Sequence, residues 1–564
     1  TPYKVHTIKD VNVYVDCTDA DDSLKTVTYK EYTLYYKDKL HYKPKALTDN
    51  MVIRSGAIYS DADRSLTNRQ IGNLRMFKYP NINYKYADSA RALLAASIYL
   101  NSRPRFSVGF ESDISHSNIQ DFGISFSTSV ISRNVFRGAE TVELSARGTL
   151  GSSKEANDAE DKFFNISEIG ADLKLNFPRF FFLFNTDKII PKYMSPATRI
   201  SLGTTVQTNI GLDKQSFNDI LRYAWNPGNF TRNALELFNI QFIRNVNADN
   251  FFNVYENPND RLVTVAINNG VLQEGDERFE TPQDADNFIA DVLDGVIVVS
   301  DEEKNEVRRI DELKTRLTDN NLIMASNFTY TRNNRAGATD NDFSQFRTKV
   351  ELAGNLLSAF AGPLHLKKNE DDHYELFKVA YSQYVKTEFD YIKYWSFSAD
   401  DILAFRSFLG IAVPYGNSDN IPFSRSYFGG GSNDNRAWEA YALGPGSAQA
   451  LNDFNEANLK LAFNLEYRFN IFGSFNGALF ADAGNIWNIW DNVEDENATF
   501  SSLSSLKDIA LGTGFGIRYD FGFFVLRFDT GFKTYDPAYE TGRRWFTDYN
   551  FANAVFNIGI NYPF

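Results

Sequence analysis

From Phe106 onward the chain alternates between apolar and polar positions almost without interruption. Phe106, Val108 and Phe110 alternate with Ser107, Gly109 and Glu111, and Phe122, Ile124 and Phe126 with Gly123, Ser125 and Ser127. A period of two places successive side chains on opposite faces of a β-strand. Similar runs at 141–150, 168–177, 198–208, 217–226, 235–245, 322–332, 343–356, 384–396, 402–413, 459–469, 475–487, 509–519, 523–533 and 555–564 bring the number of expected strands to sixteen. In 459–469 one face is Leu459, Leu461, Phe463, Leu465, Tyr467 and Phe469, and the other is Lys460, Ala462, Asn464, Glu466 and Arg468. Charge on an inward face is costly in a dry sandwich core; inside a wide barrel it meets water and other charges. The pattern predicts a mostly β chain whose residues 105–564 form a sixteen-stranded antiparallel transmembrane β-barrel, apolar outside and polar inside. A soluble sandwich is the competing reading.

Connection lengths alternate as well. Residues 398–401, 473–474 and 522 read as tight turns, whereas 488–507, 534–553 and 246–320 are long. Outer-membrane barrels have short periplasmic turns and longer outer loops, so a periplasmic C-terminus places all three long segments outside. The 246–320 insertion carries two helix signals. Thr281 precedes Pro282, with Ala285, Phe288, Ile289 and Val292 on one face, and Ser300 with Glu303 forms a capping box before Val307, Ile310, Leu313 and Leu317. Two amphipathic helices must cover something, either as a lid over the barrel mouth or as a docking surface for a partner.

Residues 416–453 resist a regular assignment. Their centre, 421–447, is rich in Gly, Ser and Asn and holds Arg436 beside aromatic residues. A guanidinium offers five donors and keeps its charge, so within a barrel it needs carboxylates. Glu466 and Asp482 both fall on inward faces by alternation. We therefore expect the loop to fold into the lumen, with Arg436 tethered to Glu466 and Asp482 on the twelfth and thirteenth strands.

The first 104 residues have a different rhythm. A strand is expected over 3–16, short helices over 46–54 and 61–77, and strands over 81–86 and 91–100. This β-α-α-β-β order resembles a POTRA domain, a periplasmic module, against the alternative of a generic α+β unit.

Composition removes other classes. The chain has 564 residues, of which 15% are aromatic and 23% charged, with a formal net charge of −14. Its mean hydropathy is −0.37, and no run approaches the roughly 20 apolar residues of a spanning helix. The negative charge argues against nucleic acid as partner, and lone Cys17 against an internal disulfide. Five histidines without ligand spacing, and glycine runs without a phosphate-loop Lys-Ser/Thr, leave no catalytic, metal or cofactor candidate.

Several strings carry a family resemblance: Phe428-Gly429-Gly430-Gly431-Ser432-Asn433, Asn435-Arg436-Ala437-Trp438, Leu443-Gly444-Pro445-Gly446, Phe480-Ala481-Asp482-Ala483-Gly484-Asn485, Gly514-Phe515-Gly516-Ile517-Arg518 and Leu526-Arg527-Phe528-Asp529. Together they resemble the BamA/TamA family of outer-membrane protein insertases, and most of all the TamA-like proteins of Bacteroidota. Ala437 departs from the family's usual glycine, which implies a backbone there outside the glycine-only region. The resemblance implies a non-enzymatic factor in the outer membrane of a Gram-negative bacterium, with its N-terminal domain in the periplasm. Its partners would be unfolded outer-membrane protein clients, the lipid bilayer, and periplasmic or lipoprotein accessory subunits. Client strands would pair at a labile seam between the first and last strands, formed by Phe106, Val108 and Phe110 on one side and Phe556, Ile558, Ile560, Tyr562 and Phe564 on the other. A passive channel or transporter and a surface-binding structural barrel are the alternatives.

Overall fold

A computed structural model describes residues 4–88, 92–115, 122–152, 166–184, 186, 188–209, 213–337, 339–369, 372–448, 455–493 and 495–564. The N-terminal unit contains β1 (Thr7–Val15), β2 (Lys25–Tyr29), β3 (Tyr32–Tyr36), α1 (Pro44–Thr48), α2 (Asp61–Asn73), β4 (Phe77–Asp88) and β5 (Leu93–Ser102). Its five strands form one mixed sheet in the order β2-β3-β1-β5-β4. Val11, Val13 and Val15 of β1 enter a core with Leu34, Leu47, Ile71 and Ile98. Ser60 caps α2 by accepting from the Asp63 amide at 3.3 Å, as an N-terminal serine should.

Three local expectations change here. The β2–β3 hairpin is an addition to the β-α-α-β-β order: β2 has little apolar content, and β3, which buries Tyr32 and Leu34, is only five residues long. Helix α1 stops at Thr48 rather than running to 54, and buried Met51 and Ile53 pack from irregular backbone. Helix α2 stops at Asn73, because Arg75 takes a positive φ of 56° and lets Phe77 open β4.

The larger sheet begins with β6 (Phe106–Ser115), β7 (Phe122–Arg133), β8 (Thr141–Ser152), β9 (Ile166–Phe177), β10 (Ala197–Asn209), β11 (Lys214–Gly228) and β12 (Thr231–Asn245). Four helices follow: α3 (Phe251–Val254), α4 (Glu256–Asn268), α5 (Pro282–Leu293) and α6 (Asp301–Thr318). Then come β13 (Asn321–Asn333), β14 (Ser344–Ala353), α7 (Asn355–Ala361) and a small sheet of β15 (Lys367–Lys368), β16 (Tyr374–Leu376) and β17 (Val379–Ala380). The large sheet resumes with β18 (Tyr384–Ser396), β19 (Ile402–Pro414), β20 (Leu459–Phe472), β21 (Phe475–Trp487), β22 (Ala510–Asp520), β23 (Val525–Tyr535) and β24 (Val555–Ile560).

Sixteen of these strands pair with their sequence neighbours in one antiparallel sheet from β6 to β24, which is the architecture the alternation predicts. The sheet is not closed: among the described residues β6 and β24 share no ladder and form its two ends. β24 is only six residues long, and Asn561 turns away with a φ of 65°. The faces follow the expected alternation. In β20, Phe463, Leu465 and Tyr467 are exposed, whereas Asn464, Glu466 and Arg468 are buried.

The N-terminal unit docks on one end of this sheet. In the 134–140 turn, Ala139 enters its core, Arg137 donates to Leu40 O at 2.9 Å and the Lys43 amide donates to Arg137 O at 2.7 Å. At the opposite end, α3–α6 share a core built on Phe251, Leu262, Phe288, Val292, Val307 and Ile310. Thr281 caps α5 and Ser300 with Glu303 forms the capping box of α6, as predicted, and Asp284 completes a second capping box with Thr281. Helices α3 and α4 had no such signal. The bundle touches the sheet's loops through Arg309 and Asp495, 2.6 Å apart, and through Phe423, which packs against its core.

Candidate functional site: a loop held on the inner wall

The 415–458 connection enters from the helix-bundle end and lies against the inner face of β19–β23; of the predicted loop 416–453, residues 449–453 lie outside the described residues. Its entry is fixed by reciprocal amide bonds between Tyr427 and Ala457, 2.8 Å each. Gly429 bridges Leu443, and the Gly431 amide donates to Trp438 O at 2.9 Å. Gly430 adopts a φ of 89°, and a Cβ there would lie 2.1 Å from Glu439 O. A side chain at this hairpin-like turn would therefore break it.

Arg436 is 1% exposed. Its Nε donates to Asp482 Oδ2 at 2.8 Å and its Nη2 to Asp482 Oδ1 at 3.0 Å, a two-point fork. Nη1 donates to Glu466 Oε2 and lies 3.5 Å from Asp529 Oδ2. The guanidinium carbon sits 3.5 Å from the centroid of the Phe480 ring, which excludes water from one face. The predicted trio of Arg436, Glu466 and Asp482 is thus in direct contact. The network extends beyond it. Arg468 donates to Glu466 at 2.7 Å, Arg518 reaches Glu466 at 3.0 Å and Asp529 at 2.7 Å, and Arg527 reaches Asp529 at 3.0 Å. Asn464 joins the wall to the loop by donating to Asp482 Oδ1 at 2.9 Å and to Asp434 O at 2.7 Å.

Four guanidinium groups therefore share three carboxylates in a nearly waterless layer. Such a layer stabilises the fold only while every charge keeps its partners. It offers no exposed nucleophile or acid. What it can do is fix the loop backbone against the sheet. Asn557 of β24 donates to Arg436 O at 2.9 Å, so the same loop residue touches the last strand as well as β20 and β21.

The other predicted loop residues lie in this layer. Asn435 and Trp438 are buried, and so is Ala437, whose φ is not positive among the described residues. Ala437 has an ordinary backbone because the close approach is made by the wall: a Cβ on Gly531 would lie 2.3 Å from Arg436 O, and one on Gly512 would lie 2.6 Å from the Ala437 Cβ. Sequence reading missed Asp529, Arg518 and Arg527 as members of the network, although their inward parity on β22 and β23 was available.

The seam residues divide. Phe106, Val108 and Phe110 are exposed on β6, and Phe556, Ile558 and Ile560 are exposed on β24. Phe564 and Tyr562, expected to continue that face, leave it, the latter still 37% exposed. Beyond Asn561 the tail turns inward, placing the Tyr562 ring 4.0 Å from the Arg468 guanidinium carbon and Phe564 beside Phe343 and Tyr394. Arg468, buried on β20, is the cation that draws the tail in. Among the described side chains of β6, Ile114 borders the gap beside β24. It lines a cavity of about 1110 Å³ together with Phe556–Ile560 and the inner loop's Phe428, Gly430 and Asp434.

Residues 105–564 match the family described as the Omp85 superfamily domain. The chain belongs to the Omp85 superfamily. Its fold is similar to that of BamA from Haemophilus ducreyi lacking POTRA domains 1-3, with 11% identity, 95% of this chain and 88% of that chain covered, and a TM-score of 0.53. A weaker likeness, to CdiB from Acinetobacter baumannii, has 8% identity, coverage of 99% and 90%, and a TM-score of 0.45. No curated protein matches the chain. Superfamily and fold together point to the outer membrane.

Proposed function

We propose that this chain assembles other β-barrel proteins into the outer membrane by pairing client strands at the gap between β6 and β24. The observation that carries this reading is that, among the described residues, the sheet ends at β6 and β24 without a ladder between them, while both ends open on one cavity backed by the tethered loop. An unpaired strand edge is a template for another strand. In this reading the N-terminal unit is a POTRA-like periplasmic domain, the α3–α6 bundle lies outside the cell, and unfolded outer-membrane proteins are the clients, with accessory subunits as further partners. The chain acts without covalent chemistry. The Arg436-Ala437-Trp438 form and the helical insertion favour a TamA-like member. The packed inner loop disfavours an open channel, because it fills the wall side of the lumen.

The test is a disulfide lock. In a Cys17→Ala background, Ile114→Cys with Phe556→Cys should cross-link under oxidation and stop client assembly, with recovery on reduction. Assembly that continues at the wild-type rate with the lock closed would overturn the proposal.

A further inference from the structure

Residues 178–196, between β9 and β10, carry a feature that neither the tether nor the seam uses. Phe181, Phe182, Leu183 and Phe184 are four consecutive exposed apolar side chains, with Leu183 99% exposed. A contiguous exposed apolar patch of this kind signals a partner. The segment is nevertheless well held. The Phe181 amide donates to Thr198 Oγ1 at 2.8 Å, Thr198 Oγ1 donates to Arg179 O at 2.9 Å, and Tyr223 Oη donates to Phe181 O at 3.1 Å. Its backbone is thus bonded internally while much of its apolar side-chain surface stays exposed.

Three observations identify the partner as lipid. The patch continues the outward face of the sheet: Phe181 stacks on Phe177 at 4.5 Å and Phe180 on Tyr223 at 4.4 Å. Phe177 pairs with Thr198, and Thr198 with Tyr223, so all three lie on the face that carries Leu173 and Leu202 higher up. Turns at the same end also expose aromatic rings, Phe230, Phe397, Phe472 and Phe523, as expected of an interfacial girdle. Two of the segment's three cations, finally, turn away from the patch, Arg179 to Glu140 and Lys192 to Asp49 of the N-terminal unit, while Lys188 is exposed.

We infer that the described part of this connection is an interfacial wedge: its Phe181–Phe184 side chains insert into the near leaflet, while Lys192 and Ser195 hold the N-terminal unit at a fixed height against the membrane. Gln70 of α2 donates to Lys192 O at 3.1 Å and to Ser195 Oγ at 3.5 Å, which makes the mechanical link. The inference rests on reading the sheet as membrane-embedded.

The experiment places a single environment-sensitive nitrobenzoxadiazole label on the Cys17→Ala full chain, reconstituted in phosphatidylcholine/phosphatidylglycerol vesicles with or without chain-doxyl lipid. Leu183→Cys is compared with Leu479→Cys on the outward face and Glu31→Cys on the β2–β3 hairpin. The Leu183 label should show the blue-shifted emission and doxyl quenching of the Leu479 label. Emission and iodide quenching like those of the Glu31 label, with Leu479 still quenched by doxyl lipid, would overturn the wedge alone; failure at Leu479 would overturn the membrane reading beneath it. A Leu183→Glu/Phe184→Glu variant should keep a heat-resistant sheet but speed hydrogen exchange at residues 40–43. Unchanged exchange there would overturn the link to the N-terminal unit.

Discussion

Arg436 and Asp482 meet fork to fork, with Nε–Oδ2 and Nη2–Oδ1 distances of 2.8 and 3.0 Å, beneath the ring of Phe480. Removing either partner leaves a buried charge, a change that costs roughly 3–5 kcal/mol. Arg436→Ala should therefore lower the denaturation midpoint of the sheet, and Arg436→Lys should fall between, because an ammonium cannot span both oxygens. The double variant Arg436→Ala/Asp482→Ala should lose much less than the sum of the single changes, as coupled partners do. Additive losses in denaturant titrations would show that the pair is not coupled.

The C-terminal tail depends on one backbone conformation. Asn561 sits at a φ of 65°, a region that costs most residues about 1–2 kcal/mol but that Asn tolerates. Asn561→Val should release Tyr562 from Arg468 and Phe564 from the Tyr394 hydroxyl. Hydrogen exchange over residues 561–564 should then be faster than in the wild type, whereas Asn561→Gly should stay protected.

Parity explains why some of this was legible in the sequence and some was not. Sixteen strands could be read because long runs such as 459–469 repeat one period, and the same count sent Glu466 and Asp482 inward to Arg436. Arg518, Arg527 and Asp529 obey that parity too. So do Gly512, Gly514 and Gly516: a Cβ on Gly512 would meet Asn435 and Ala437 of the loop, whereas one on Gly514 would meet Phe480 and one on Gly516 would meet Asp529 and Arg518 of the wall. Tyr562 and Phe564 share the parity of Ile560, so alternation places them on the outer face; only the backbone turn at Asn561 reverses them. The β2–β3 hairpin escaped notice for a different reason: Lys25–Tyr29 has little apolar content and pairs only at the sheet's edge.

Alternation also marks one outward residue as costly. Asp219 of β11 faces Leu202 on β10 and Ile240 on β12 across the ladder, on the face that carries Phe217 and Leu221. A carboxylate on a lipid face is destabilising, less so than the ~2–4 kcal/mol of a midplane Lys or Arg. Asp219→Leu should accordingly stabilise the folded chain in bilayers by about 1 kcal/mol, read from urea titrations in vesicles. A loss of stability would place Asp219 in a polar contact instead of lipid.

Glu140 gives the junction with the N-terminal unit its pH dependence. Its carboxylate is buried, accepts from the Gly138 amide at 2.8 Å and pairs with Arg179 at 2.8 Å. Burial works to raise its pKa, but the amides of Glu140 and Gly138 and the Arg179 guanidinium together hold it below the ordinary value of 4.5. A depressed carboxylate contributes its full stability above that ordinary value and loses it as the pH falls through the folded value. Acidification below 4.5 should therefore loosen the 134–140 turn, and with it Ala139 in the N-terminal core, before the sheet unfolds. Hydrogen exchange at residues 40–43 and 134–140 should rise over that window while exchange in β19–β23 stays slow. Glu140→Gln should show the faster exchange already at neutral pH and no further step on acidification. An acid step of wild-type size in that variant would assign the pH dependence to another group.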